Sequence, residues 1–337
     1  MSEHEQASLV AQIAAQVDAD NRNFMHSTVV PHLSEVAAQN SQGGGDQVEQ
    51  LLLLQAKSAI AAQQQITPSK LSDMEFRVFS QFGEDGILQY LIRQTKIEAA
   101  EEVFVEFGVE DYTEANTRFL LLNDHWRGLV MDGDAANMEA VRASDLYWRS
   151  DITANHAWID RDNINDLISD AGFGGRIGIL SIDIDGNDYW VWETLEVVDP
   201  VIVICEWNGV YGPSHAVSVP YDPSFSRSDA HFSNLYWGAS MEAFRHLADK
   251  KGYALVGSNG VGNNIFFVKR ERLGNVPELT SEQAFREPRF RDSRDEDGNL
   301  NFLSGDKRRQ CIADLPLIDV KSGKETSLTV LDETRAK

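Results

Sequence analysis

Apolar and polar positions change their spacing several times along the chain, and each change marks an element. Over residues 7–20, Leu9, Ile13, Ala14 and Val17 fall on one helical stripe. A flexible break is expected at Ser41-Gln42-Gly43-Gly44-Gly45-Asp46. A second helical pattern covers 47–65 and ends before Pro68. Ile87, Leu88, Leu91 and Ile92 form a further stripe. From there short apolar runs alternate with helical patterns. The runs Val103–Phe107, Gly128–Asp132, Leu146–Asp151, Ile177–Asp183 and Val201–Glu206 predict strands. The segments near 113–122, 135–143, 163–171 and 188–195 predict helices between them. Met241, Phe244 and Leu247 mark a helix stopped by Gly252. The runs Tyr253–Gly257 and Asn264–Lys269, joined by Asn259-Gly260-Val261-Gly262, predict a closing hairpin.

This alternation predicts an α/β fold: a doubly wound, mostly parallel, Rossmann-like sheet that ends in an antiparallel hairpin. Three stretches are expected. Residues 1–70 form a helical arm suited either to dock on the body or to pair with another subunit in a homo-oligomer, residues 71–270 the α/β domain, and residues 271–337 a polar, irregular extension. In that extension Leu315–Val320, Ser322-Gly323-Lys324 and Ser327–Leu331 read as a small hairpin.

Composition narrows the function. Lys and Arg number 30 against 53 Asp and Glu, a net charge of −23, which disfavours nucleic acid and anionic membranes as partners. No apolar run approaches the ~20 residues of a membrane-inserted helix, and the start lacks a signal-peptide pattern. With only Cys205 and Cys311, neither a disulfide framework nor a zinc cluster is built, and a reducing cytoplasmic location is expected.

In an open parallel sheet, ligands bind outside the carboxyl ends of the strands, so the chemistry is sought there. The first strand closes on Glu106, followed by Gly108 in the turn. The GxGxxG fingerprint and the Lys of a P-loop are both missing, and an acid there suits a cationic or uncharged ligand better than a pyrophosphate. Asp132 ends the second strand 24 residues after Gly108, placed to accept ribose hydroxyls, while Asp134 caps the next helix. Asp151, at the expected end of the third strand, either holds an adenine amino group or caps. The fourth strand runs into Asp183-Ile184-Asp185-Gly186-Asn187-Asp188, and the fifth ends in Glu206. Crowded carboxylates persist best beside a cation or a proton, so Asp183, Asp185 and Glu206 are candidate ligands of a divalent metal such as Mg2+. His215 is a candidate base. Ser80-Gln81-Phe82-Gly83-Glu84-Asp85-Gly86 opens a helix and offers Gln81 and Glu84 as a wall over a cofactor. Tyr189, Trp190, Trp192 and Trp207 either stack on a sugar face or fill the core.

The segments SQFGEDGIL (80–88), FVEFGVEDYTEANT (104–117), GLVMDGD (128–134) and LSIDIDGNDYW (180–190), with the closing hairpin, resemble the FkbM-like branch of the class I S-adenosylmethionine-dependent methyltransferases. The resemblance spans roughly 75–270. It implies that Glu106 and Gly108 meet the amino acid end of the methyl donor and that Asp132 holds its ribose. It also implies methyl transfer to the hydroxyl of a small-molecule or glycan acceptor, with Asp183 and Asp185 in catalysis. Tyr112 stands where many relatives have glycine, beside the expected donor site. Two other classes remain open. One is a metal-dependent glycosyltransferase reading Asp183-Ile184-Asp185 as its metal motif; the other is a non-catalytic binding protein on the same fold.

Overall fold

The protein is described by a computed structural model covering residues 44–289 and 291–335. The stripe expected over 7–20 and the start of the expected break lie outside these residues. The chain parts into two compact units between Ala61 and Ala62. Helix α1 (Gly44–Gln63) begins earlier than the expected 47. Glycines cost little in a first turn, where the N–H groups lack helical partners anyway. Among the described residues no helix is long and apolar enough to cross a membrane.

In the second unit, helix α2 (Glu84–Thr95) precedes strand β1 (Val103–Phe107). There follow α3 (Arg118–Asn123), β2 (Arg127–Asp132), α4 (Ala135–Ala143), α5 (Asp145–Arg149) and β3 (Ile152–His156). Next come α6 (Ile164–Asp170), β4 (Gly175–Ile182), α7 (Asp188–Thr194) and β5 (Val198–Glu206). After β6 (Val217–Ser218), α8 (Arg227–Ala230) and α9 (Met241–Lys251), the hairpin β7 (Tyr253–Ser258) and β8 (Asn264–Lys269) completes the main sheet.

That sheet has the order β3-β2-β1-β4-β5-β8-β7. Strands β1 to β5 pair in parallel, and β8 runs antiparallel between β5 and β7. The strand order reverses between β1 and β4, the expected doubly wound arrangement. Successive residues feed opposite faces because side chains alternate along a strand. Phe104, Ile179 and Ile202 join one core, and their neighbours Val105, Leu180 and Val203 join the other. Both faces are covered, which is why these strands read as unbroken apolar runs.

Two sequence expectations fail. Leu146–Asp151 is not the third strand: it is mostly helix α5, with Trp148 71% exposed and an Asp145–Arg149 ion pair one turn apart at 3.2 Å. Its cluster of Leu, Tyr and Trp imitated a buried run. The strand proper, β3, alternates buried Ile152 and Ala154 with half-buried Thr153 and Asn155. The C-terminal extension is also less irregular than expected, and the small hairpin does form in it. After α10 (Ser281–Ala284) and α11 (Asp306–Cys311), strands β9 (Leu317–Asp319) and β10 (Lys324–Thr326) form a sheet of order β10-β9-β6. The hairpin turn is closed by Asp319 Oδ1, which accepts from Lys321 N and Ser322 N. Ser327–Leu331 is no strand, because helix α12 (Leu328–Arg335) starts there. Leu235, Ile312, Leu317 and Leu328 pack with Tyr211 and Val217 as a small core of their own.

Candidate functional site

A cleft of about 520 Å3 opens at the carboxyl ends of β1, β2, β4 and β5, at the point where the strand order reverses. Of the residues picked from sequence, Gln81, Glu106, Gly108, Asp132, Asp183, Asp185 and Glu206 line it.

Glu106 is buried at the end of β1. Its carboxylate accepts from the backbone N–H of Asn116 (2.9 Å) and Thr117 (3.0 Å) and from the hydroxyls of Thr117 and Ser181. It thereby folds the 108–117 loop over the strand end. Burial pushes its carboxyl above the usual range, against these hydrogen bonds. Tyr112 does not crowd the cleft, since its ring is buried under the loop with its hydroxyl 2.9 Å from Thr117 Oγ1. Gly108 has φ +76°, and a Cβ there would lie 1.4 Å from the carbonyl oxygen of Asp183. Glycine is required by the approach of one strand's turn to the next strand's backbone.

Asp132 Oδ2 accepts from Glu110 N (2.9 Å), and Oδ1 accepts from Asp134 N (2.8 Å) and Asn137 Nδ2 (3.1 Å). As expected, Asp134 caps α4 through Ala136 N. Asp151 is a correction: it precedes β3, so it sits at the end of the sheet away from the cleft. The residues that follow β3, Ala157, Trp158 and Ile159, line the cleft instead. Trp158 is 55% exposed, and its Nε1 donates to Pro223 O at 2.7 Å. Nothing in the sequence singled it out, because an error of one strand hid its position.

The acids after β4 separate rather than converge. Asp188 is buried and closes the turn, accepting from Ile184 N and Gly186 N at 2.8 and 2.9 Å; burial pushes it up to about 6. Asp185, at φ +56°, turns outward to Arg227 Nη1 at 2.6 Å. Arg227 lies over the Trp237 ring, 4.6 Å from its centroid, and reaches Asp292 of the C-terminal extension at 3.9 Å. Asp183 and Glu206 directly follow Ile182 and Cys205, which face each other across the β4–β5 pairing, and the two carboxyls interact. Burial first, then the surrounding carboxylates, push both carboxyls well above the ordinary range. Two carboxyls this close share a proton. Glu206 Oε2 is buried without a hydrogen-bond partner, which adds to the cost of ionising the pair. The expected Mg2+ ligand set of Asp183, Asp185 and Glu206 is therefore not assembled. Among the described residues no group of three or more His, Cys, Asp or Glu is placed to hold a metal ion.

His215 is a second correction. It is absent from the cleft lining, and its Nε2 lies 3.2 Å from Asp332 of α12. Glu84 is a third. It is buried, and its Oε1 accepts from the side-chain amides of Asn259 (2.6 Å) and Asn264 (3.1 Å) in the β7–β8 turn. Asp85 Oδ2 gathers the N–H groups of Val78, Phe79 and Ser80, which leaves Gln81 as the residue of this segment at the cleft. Of the four aromatics weighed from sequence, Tyr189, Trp192 and Trp207 belong to the core, with Trp207 also bordering the cleft, and Trp190 packs against that core.

No family model matches the chain, and no curated protein matches it. Among solved structures, similar ones include the N-terminal domain of EvdMO1 with S-adenosylhomocysteine bound, at 9% identity over 64% of this chain and 96% of that one, with a TM-score of 0.37. An O-methyltransferase from Bacillus cereus in complex with S-adenosylhomocysteine is 12% identical over 65% of this chain and 90% of that one, again with a TM-score of 0.37. TrmK of M. capricolum, in complex with the same cofactor product, is 10% identical over 54% and 68%, with a TM-score of 0.32. At these levels no function passes from them to this chain.

Proposed function

We propose that the chain is an S-adenosylmethionine-dependent methyltransferase acting on a hydroxyl of a polar, carbohydrate acceptor. The observation that carries this reading is the meeting of the Glu106–Gly108 turn, Asp132 and Asp183 on one cleft at the reversal point of the sheet. The donor is a sulfonium cation bearing a ribose and an adenine, and the residues present fit all three parts. The lining is rich in carboxyl groups, which suits the cation. Asp132 Oδ2 accepts a single N–H, and a carboxylate oxygen has room for a second donor such as a ribose hydroxyl. Trp158 offers an exposed indole face beside Gly133 for the adenine. When bound, the donor supplies a methyl group activated for in-line displacement.

The chain's own part is orientation and proton handling. A sugar hydroxyl holds its proton tightly and needs a base within reach. Asp183, at the cleft beside Glu206, is that base once the pair gives up its shared proton. Across the cleft, Arg227 with Asp185 and Asp292, over the face of Trp237, forms a polar and aromatic wall suited to a carbohydrate. The nucleotide-sugar alternative loses its support, since Asp185 is engaged by Arg227 and Asp183 shares a proton.

Isothermal titration of S-adenosylhomocysteine into the full chain tests the reading, beside Asp132→Ala. Micromolar binding, weakened at least tenfold in the variant, is expected. Heat-silent titrations of the unaltered protein would overturn it.

A further inference from the structure

Two glycines at the cleft each seat an aromatic ring. Gly133 follows Asp132 after β2, and a Cβ there would lie 3.2 Å from the Trp158 ring. Gly186 follows Asp185 after β4, and a Cβ there would lie 2.2 Å from the Phe225 ring. Both rings line the cleft, Trp158 on the side of Asp132 and Phe225 on the side of Asp185.

The two seats are joined. Trp158 Nε1 donates to the carbonyl of Pro223, two residues before Phe225 and four before Arg227. The same loop is tied to the residue before α7 by Asn187 Nδ2, which donates to Asp222 O at 2.8 Å, and the chain just ahead of it to α7 by Trp190 Nε1, which donates to Val219 O at 2.9 Å. Trp158 is 55% exposed, its ring rests against Gly133, and its indole N–H is given to this loop. Whatever stacks on its face therefore also fixes the Pro223 carbonyl.

We infer that Trp158 is a positioning residue that links the two halves of the cleft. A purine stacked on its indole immobilises the 221–227 loop and so sets Phe225 and Arg227 before the acceptor arrives. The link makes binding ordered, donor first. It rests on the methyltransferase reading for the identity of the purine, and on the indole N–H for its transmission.

Trp158→Phe separates the two roles, since phenylalanine keeps a stacking face and removes the N–H. The measurement is amide hydrogen exchange over residues 221–230 in the full chain, with and without S-adenosylhomocysteine. Affinity is read in parallel by calorimetry, and folding by circular dichroism. In the unaltered protein the ligand is expected to slow exchange of this segment about fivefold or more, a change on the scale of one net hydrogen bond. In Trp158→Phe the affinity should stay within about fivefold, the loss a smaller stacking face allows, while the slowing disappears. Slowing that persists in the variant overturns the link, as does ligand binding that leaves 221–230 unchanged in the unaltered protein. Absence of binding to the unaltered protein overturns the donor reading itself, and this inference with it. A variant that loses both affinity and circular dichroism signal is replaced by Trp158→His. Its ring N–H reaches less far than the indole's, so the slowing is expected to vanish there too, and its persistence overturns the link.

Discussion

The α-carbon of Gly108 faces the carbonyl of Asp183 so closely that no side chain fits between them, a Cβ standing only 1.4 Å from that oxygen. Ala at this position would have to push β1's turn off β4, and would hold φ +76° besides. Gly108→Ala is expected to lower the unfolding free energy by about 3 kcal/mol or more. Urea titration followed by circular dichroism checks it; a loss under about 1 kcal/mol would show that the two strand ends can part.

Glu75 gives the fold a pH dependence of definite sign. Its Oε1 accepts from Gly260 N in the β7–β8 turn, whose residues Gly262, Asn263 and Asn264 line the cleft. Burial, and then Glu84, push its carboxyl from 4.5 up to about 7, with the Gly260 hydrogen bond, Lys70 and Arg289 opposing. A carboxyl raised in the folded state stabilises that state most when protonated. The contribution is full below about pH 4.5 and is lost as pH climbs through about 7. Glu75→Gln removes it. Relative to the variant, the unaltered protein should lose on the order of 3 kcal/mol between pH 4.5 and 7.5. Asp85 and Asp188, each pushed up to about 6, titrate in both proteins and cancel from the difference.

The Asp183–Glu206 pair separates binding from chemistry. Asp183→Asn removes the base while leaving the donor side in place. Methyl transfer from labelled donor to carbohydrate acceptors should fall by roughly 10²- to 10⁴-fold. Calorimetric affinity for S-adenosylhomocysteine should stay within about threefold. Loss of affinity in step with loss of rate would instead make Asp183 a donor-binding residue.

Because Asp185 is held by Arg227 and Asp183 shares a proton with Glu206, divalent ions have no assembled carboxylate set to occupy. Labelled methyl transfer is therefore expected to run at the same rate in magnesium and in EDTA. A rate restored only by magnesium would show that the ion can pull Asp185 away from Arg227.

Much of the fold was legible because strands in a two-faced core are written as apolar runs. Val103–Phe107 and Asn264–Lys269 stand where the pattern puts them, and the helix at 135–143 begins behind Asp134 as its capping chemistry requires. The third strand was missed because Leu146, Tyr147 and Trp148 are apolar without being buried, a distinction that periodicity over five residues cannot draw. At the site, residue types at strand ends were readable, but their partners were not. Asp183, Asp185 and Asp188 look alike in sequence, yet one meets Glu206, one meets Arg227 and one meets backbone. The partners come from 42 and 23 residues away, one from the helix after a long loop and one from the end of the neighbouring strand, and sequence alone does not pair them.

The C-terminal sheet has a consequence for how the protein comes into being. Pro288, Asp292 and Arg308 close the cleft, and β9 must pair with β6 to anchor them. During synthesis the seven-stranded sheet can form once Lys269 has left the ribosome, but the site's outer wall waits for some fifty more residues. A nascent or prematurely terminated chain thus holds the floor of the cleft without its wall. Competence arrives only once β9 has been made, as a late act of assembly rather than a property that grows along the chain.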